Sequence, residues 1–294
     1  FNVSMMKRFF IIALFSLILG QLSAQPVRDT AWTKAGFFGL KLTQVSLSSW
    51  SAGGESALAF DSQITYSADF KRDRQLWQNR LELGYGLTKN DGKDARKTND
   101  KIYFASTYGY QVYKTLYWSA LLNFNTQFAK GYDYNIEDSD FISKFMAPGY
   151  LIFGTGITWS PSKIFTASFT PASWRGTIVA NRRLSDEGAF GVDKGKHLLS
   201  EFGANLKAEV NHEFLPNMKI YSRLELYANY LKDPQNIDVR WEVQLNMAIN
   251  KWFSTTLSTN LLYDNDVKIA QEDGTAGPRV QFKEVLGVGF QINF

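Results

Sequence analysis

From Asn236 to Asn250 the chain reads NIDVRWEVQLNMAIN, and every second residue is apolar. Ile237, Val239, Trp241, Val243, Leu245, Met247 and Ile249 fall on one face; Asp238, Arg240, Glu242, Gln244, Asn246 and Asn250 fall on the other, with only Ala248 neutral between them. A period of two describes a strand with one greasy and one wet face. It runs well past the globular norm of about 5–6 residues. The pattern recurs almost from end to end. Leu58, Phe60, Ile64, Tyr66, Ala68 and Phe70 oppose Asp61, Gln63, Thr65, Ser67 and Asp69, and Leu81, Leu83, Tyr85 and Leu87 oppose Arg80, Glu82, Gly84 and Gly86. A soluble sandwich could use one such strand. A chain built of them predicts an all-β, transmembrane, antiparallel up-and-down barrel, in which lipid-facing and lumen-facing residues alternate.

The pattern predicts twelve strands: Gly36–Leu47, Leu58–Phe70, Trp77–Leu87, Ile102–Val112, Leu116–Phe128, Leu151–Trp159, Ile164–Ala180, Ser200–Phe214, Met218–Tyr230, Ile237–Asn250, Phe253–Asp264 and Val280–Phe294. Ile164–Ala180 is taken as one strand bent at Pro171, because two strands would spoil the parity. Short links near Arg72–Gln75, Lys114, Pro161, Pro216 and Trp252 alternate with mostly long ones such as Asn90–Asn99, Ala129–Gly149, Arg182–Leu198 and Asn265–Arg279. Outer-membrane barrels have an even strand count, short periplasmic turns and long external loops, which places both termini in the periplasm. No repeat longer than the hairpin is evident, so residues 36–294 read as one barrel domain.

Ahead of the barrel, Met5 or Met6 is the expected start, followed by a basic Lys7-Arg8, an apolar Phe9–Leu19 and Leu22-Ser23-Ala24. This predicts a secretory signal peptide within residues 1–24, cleaved before Gln25. The apolar run falls short of the roughly 20 residues a membrane anchor needs. Residues 25–35 are then a periplasmic N-terminal segment. Losing Lys7 and Arg8 lowers the formal charge from +4 to +2, too small a balance to select an acidic partner or nucleic acid. With no cysteine, neither a disulfide framework nor a thiolate metal site is available.

The C-terminal strand ends Leu286, Val288, Phe290, Ile292, Phe294, each alternating with a small or polar residue. Phe290, Ile292 and the terminal Phe294 resemble the signal read by outer-membrane assembly machinery. Four further stretches, Gln44–Ser56 (QVSLSSWSAGGES), Asn123–Tyr134 (NFNTQFAKGYDY), Asp186–His197 (DEGAFGVDKGKH) and Asn229–Val243 (NYLKDPQNIDVRWEV), resemble a family of Bacteroidota outer-membrane proteins known only as a domain of unknown function. The resemblance implies a barrel and a phylum. It implies no activity and no site residues.

Catalysis needs a base, a nucleophile or a metal, and the inventory is thin. His197 lies in a long loop and His212 on the outward face near the turn end, where an outer-leaflet lipid hydrolase could not use it. Asp133–Asp140 and Asp264-Asn265-Asp266 offer oxygen ligands without EF-hand spacing, and read as solvated acidic loops. Gly53-Gly54, Gly84 and Gly86 suit turns and crowded lumen packing better than phosphate binding, since no helix start follows them. No catalytic residue, metal or cofactor is expected. The polar faces of the last strands are more informative. Pairing through the turns sets Lys207 opposite Glu225, Glu209 opposite Arg223, Glu225 opposite Arg240, Arg223 opposite Glu242 and Arg240 opposite Asp264. Two rows of alternating charge result, Lys207–Glu225–Arg240–Asp264 and Glu209–Arg223–Glu242, each stabilised by opposite charges across the ladder. Such rows either brace a narrow lumen or line a selective constriction. Cancellation of their outside field suits bracing. The expectation is a non-enzymatic outer-membrane barrel with a narrow or occluded charged lumen, a surface or complex-forming component whose neighbours are lipid, the assembly machinery and an unidentified protein. A passive channel for small polar solutes or ions is the alternative, and an outer-leaflet lipid-acting enzyme comes third.

Overall fold

Long strands alternating in polarity can satisfy every backbone group beside lipid only by closing into a ring. A computed structural model, which describes residues 31–45, 56–90, 92–134, 136, 140–265, 269–270 and 276–294, shows that ring. The expected signal peptide and its cleavage site, together with Gly53-Gly54 and most of Gln44–Ser56, lie outside the described residues. Twelve antiparallel strands form the barrel: β1 (Trp32–Val45), β2 (Ala57–Arg72), β3 (Gln75–Asn90), β4 (Arg96–Tyr113), β5 (Leu116–Thr126), β6 (Gly149–Trp159), β7 (Phe165–Ile178), β8 (Leu198–Leu215), β9 (Met218–Asn229), β10 (Ile237–Ala248), β11 (Phe253–Tyr263) and β12 (Gln281–Asn293). Strands neighbour one another in chain order, and β12 closes on β1 through Phe37↔Asn293 to Lys41↔Gly289. β1 begins at Trp32 rather than Gly36, and β4 begins at Arg96, ahead of the expected Ile102.

The bend at Pro171 is a bulge within a single strand. Against β6 the register slips between Ile157↔Phe169 and Thr155↔Ala172, and against β8 between Asn205↔Thr170 and Gly203↔Ser173. Proline has no N–H to give the ladder, so the bulge is where it costs least. Its carbonyl accepts a 3.0 Å bond from the Tyr230 hydroxyl.

One rim carries the tight connections 73–74, 114–115, 160–164, 216–217 and 249–252, and the longer connections join strand ends at the other, among them 92–95, 140–148, 179–197 and 230–236. Asp73, Lys114 and Asn217 take positive φ in the two-residue turns, which suits the twist of the flanking strands. Two of the long loops pack together. Ala147, Val179, Leu184 and Val192 are buried, with Phe141, Ala189, Phe190 and Leu199 against them. This small core sits on a single helical turn, α1 (Arg182–Glu187), whose first turn is capped by Asn181 Oδ1 accepting from the Leu184 N–H at 3.1 Å. Gly188, at φ 75°, ends it.

Outside, large apolar side chains stand exposed on every strand but β9, whose outward apolar residues are half-buried. Trp77, Tyr110, Trp118, Trp159, Phe214 and Trp252 gather toward the tight-turn rim, and Phe202 and Tyr230 toward the long-loop rim. The indoles of Trp77, Trp118 and Trp241 donate to the hydroxyls of Ser106, Thr155 and Ser222 at 2.9–3.0 Å, so no N–H of these three faces the apolar surroundings unpaired. An apolar band between two aromatic girdles is the surface of a barrel solvated by lipid. Leu224 is outward and mid-strand on β9, while Ser258 borders the lumen. Leu224→Arg should therefore cost about 2–4 kcal/mol in reversible urea unfolding in lipid, against under about 1 kcal/mol for Ser258→Arg; equal penalties would mean the faces are exchanged.

A candidate functional site in the lumen

The inward faces of β3, β4, β8, β9 and β10 carry charge at mid-height, and the barrel brings these charges into one cluster. Arg223 on β9 is 1% exposed. Its Nη1 donates to Glu82 Oε1 at 3.1 Å and to the Tyr221 hydroxyl at 3.3 Å, and its Nη2 donates to Glu242. Its guanidinium lies 3.9 Å from the Tyr103 ring centroid. Lys101 reaches Glu82 at 2.7 Å and Glu242 at 3.0 Å, and Arg80 pairs with Glu82 from the same strand. Tyr221 donates to Glu209 at 2.8 Å, which also takes Lys207 at 3.3 Å.

Two of these contacts span the ring. β3 lies diametrically opposite β9, and β4 opposite β10, so Arg223–Glu82 and Lys101–Glu242 tie facing walls together. A round twelve-stranded barrel, with strands about 4.8 Å apart and tilted about 40°, has a backbone diameter of roughly 24 Å. Extended Arg and Glu side chains joined by a hydrogen bond span roughly 15 Å. The section is therefore flattened along the β3–β9 direction, and side chains from the two facing walls meet between them.

The register sets Lys207 opposite Glu225, Glu209 opposite Arg223, Glu225 opposite Arg240 and Arg223 opposite Glu242. Contacts follow it only in part. Arg223 and Glu242 bond, but Lys207 turns along its own strand to Glu209, and Glu225 takes the Tyr103 hydroxyl at 3.3 Å with Arg223 Nε at 3.8 Å. The Arg240–Asp264 pairing is corrected: Arg240 faces Leu262, and the ladder begins at Val239↔Tyr263. Asn250 is the cause. Its Oδ1 accepts from the N–H groups of Trp252 and Phe253 at 2.8 and 2.9 Å, which makes it part of the turn, so Ser254 pairs with Ala248. Arg80, Glu82, Lys101, Tyr103 and Tyr221 were not among the expected site residues. Their only sequence signal is charge or a phenol on the inward face at mid-strand.

Elsewhere, Arg175 pairs with Glu201 at 2.7 Å and with Asp238. His197 Nδ1 lies 2.7 Å from the Val179 carbonyl, which makes it a brace within the folded loop, and His212 is on the outward face of β8. Phe290 and Ile292 project outward from β12, and the terminal Phe294 exchanges backbone bonds with Gly36. Gly84 and Gly86 sit where a Cβ would come within 2.9 Å of Asn99 Nδ2 and 2.7 Å of Asp61 Oδ2. On the long-loop side of the cluster lies a cavity of about 470 Å³, bordered by Lys41, Asp61, Lys101, Glu242 and Lys283. Smaller cavities of about 120 and 140 Å³ lie on the turn side, and Tyr221 borders all three.

Breaking a fully buried pair by removing one partner costs about 3–5 kcal/mol, less where water enters. Glu82→Gln and Arg223→Gln should each destabilise the barrel within or just below that range. Their double mutant should fall short of the sum by about 0.5–3 kcal/mol. Strict additivity in an unfolding titration would show that the two walls do not touch.

Two family profiles match parts of the chain, each described as a protein of unknown function: DUF3078 over residues 42–132 and DUF481 over residues 181–275. No curated protein matches. Among solved structures, the COG4313 outer membrane channel from Pseudomonas putida F1 is similar at 10% identity, with 94% of this chain and 98% of that one covered and a TM-score of 0.38. The NanC porin is similar at 9% identity, over 87% and 98% of the two chains, with a TM-score of 0.38. OmpT, an outer membrane protein of Vibrio cholerae, is similar at 9% identity, over 92% and 100%, with a TM-score of 0.33. Likenesses this distant bear on neither cargo nor activity.

Proposed function

We propose that this chain is a non-enzymatic barrel of the Gram-negative outer membrane whose lumen is closed at mid-height by a bridge of ion pairs, and that it serves as a structural, surface or complex-forming component. The observation carrying this reading is the contact of Arg223, 1% exposed, with Glu82 on the facing wall. A hydrated pore would leave such groups apart and screened. Both histidines support a non-catalytic role, one tied to a backbone carbonyl and the other turned outward. The outward aromatic end of β12 fits recognition by outer-membrane assembly machinery, and the Bacteroidota assignment rests on the resemblance of the four sequence stretches. The alternative, a passive channel for small polar solutes, draws support from the cavity of about 470 Å³ that reaches the bridge from the long-loop side.

In a planar bilayer the wild-type protein should show no resolvable conductance steps, and Glu82→Ala with Arg223→Ala should introduce them. Stable open-channel steps from the wild type would favour the channel instead. In this proposal the tight turns and both termini face the periplasm. Since the chain has no native cysteine, Gln235→Cys on a long loop should react with an impermeant maleimide on intact cells, whereas Lys163→Cys in a tight turn should not. The reverse pattern would invert the barrel.

A further inference from the structure

The tight-turn rim carries a charge pattern that the lumenal bridge does not explain. Lys71, Arg72, Arg74, Lys114, Lys163, Lys219 and Lys251 stand exposed in or beside the turns, against the carboxylates of Asp73 and Glu213. Two of these cations are held on the outer surface. The Arg74 guanidinium lies 5.0 Å from the Tyr110 ring centroid, and the Lys114 amine 5.1 Å from that of Tyr113. Tyr110 and Tyr113 are 46% and 60% exposed, and across the β4–β5 ladder they pair with Trp118 and Leu116, which share the outward face of β5. The two tyrosines are therefore roughly 7 Å apart along the strand, both on the lipid-facing wall.

Hydrogen bonds knit the two turns together. The Gln111 N–H donates to the Arg74 carbonyl at 2.6 Å, and Arg74 Nε donates back to the Gln111 carbonyl at 3.1 Å. The Gln111 side-chain amide donates to the Lys114 carbonyl. Neither cation meets a carboxylate among the described residues, so the Arg74 Nη groups and the Lys114 amine keep donors for an anion from outside. Their place decides which anion. A phosphodiester offers two acceptor oxygens to a guanidinium fork and to a point charge beside it. Trp118 and Tyr108 continue the outward face away from the rim, 62% and 43% exposed, where acyl chains would lie. A soluble anion gains only the two charges there, whereas a lipid gains the charges and the apolar wall together.

We propose that Arg74 and Lys114 bind the phosphate of an anionic glycerophospholipid whose chains run along the outward faces of β4 and β5. The choice of a glycerophospholipid over a lipopolysaccharide rests on the proposed orientation, in which the tight turns meet the periplasmic leaflet. The maleimide labelling tests that orientation on its own. The site is tested by native mass spectrometry of the full folded barrel released from a nonionic detergent. The probes are phosphatidylglycerol, phosphatidylcholine of the same chains, and lipid A. Phosphatidylglycerol should stay bound at collision energies that strip phosphatidylcholine, and equimolar lipid A should not displace it. Arg74→Gln with Lys114→Gln should weaken phosphatidylglycerol binding about thirty-fold. Lys219→Gln with Lys251→Gln takes the same charge from turns across the rim and should change it less than about two-fold. All four side chains are exposed, and heat-modifiable gel mobility checks that both variants fold. Equal retention of the two phospholipids, displacement by lipid A, undiminished binding in the Arg74–Lys114 variant, or equal losses in the two double variants would overturn the assignment.

Discussion

The lumen is organised by one guanidinium. Arg223 gives up nearly all its water, and what replaces it comes from opposite sides of the ring: Glu82 from β3, Glu242 from β10, and the faces and hydroxyls of Tyr103 and Tyr221. Desolvating a cation costs several kcal/mol, and only close, well-hydrogen-bonded carboxylates offset it. The contribution of such a cluster to net stability is therefore small. Its effect on geometry is large, because Arg223–Glu82 and Lys101–Glu242 join facing walls. A barrel free to be round would leave Arg223 and Glu82 out of reach, and so the flattened section and the buried pair imply each other.

That constraint propagates through packing. Lys101 serves both Glu82 and Glu242, so facing walls share carboxylates instead of pairing privately. Glycine at positions 84 and 86 leaves the space that the side chains of Asn99 and Asp61 occupy, and Asn99 donates to Asp61 at 2.9 Å. On the outer surface the requirement reverses. There the side chains need only be apolar, with indole N–H groups bonded to nearby hydroxyls. Lipid imposes no jigsaw fit, which is why the outward faces tolerate such mixed aromatic and aliphatic composition.

The long-loop rim adds a third environment. Two loops build a core of their own around Leu184 and Val192 over the β6–β7 edge, and Phe190, packed against this core, borders a lumenal cavity of about 140 Å³ beside Tyr150 and Arg175. Cations from both loops surround Phe141: Lys130, Lys144 and Arg183 lie 4.6–5.9 Å from its ring centroid. The loop core and the cations around Phe141 thus form a packed unit of their own, distinct from the ion pairs within the lumen.

The barrel itself was legible in the sequence because alternation is a local property. Each residue's face follows from its neighbours two positions away, and link lengths then set pairing, down to Lys207 opposite Glu225 and a single strand bent at Pro171. Register failed where a side chain intervened. Asn250 caps its own turn, which shifts β11 along β10 and carries Asp264 away from Arg240. The folded loops were hidden because their core draws on Ala147, Val179, Leu184 and Val192, residues with no common period. The lumen was hidden for a deeper reason. Strand pairing fixes which residues lie side by side, but Arg223 and Glu82 are separated by half the circumference and by 141 positions in the chain. Whether they meet depends on how far the ring flattens, a property of the closed barrel that no single strand or hairpin contains. The sequence by itself determined which residues face inward and in what order around the wall; tertiary structure alone decided which of them touch across it.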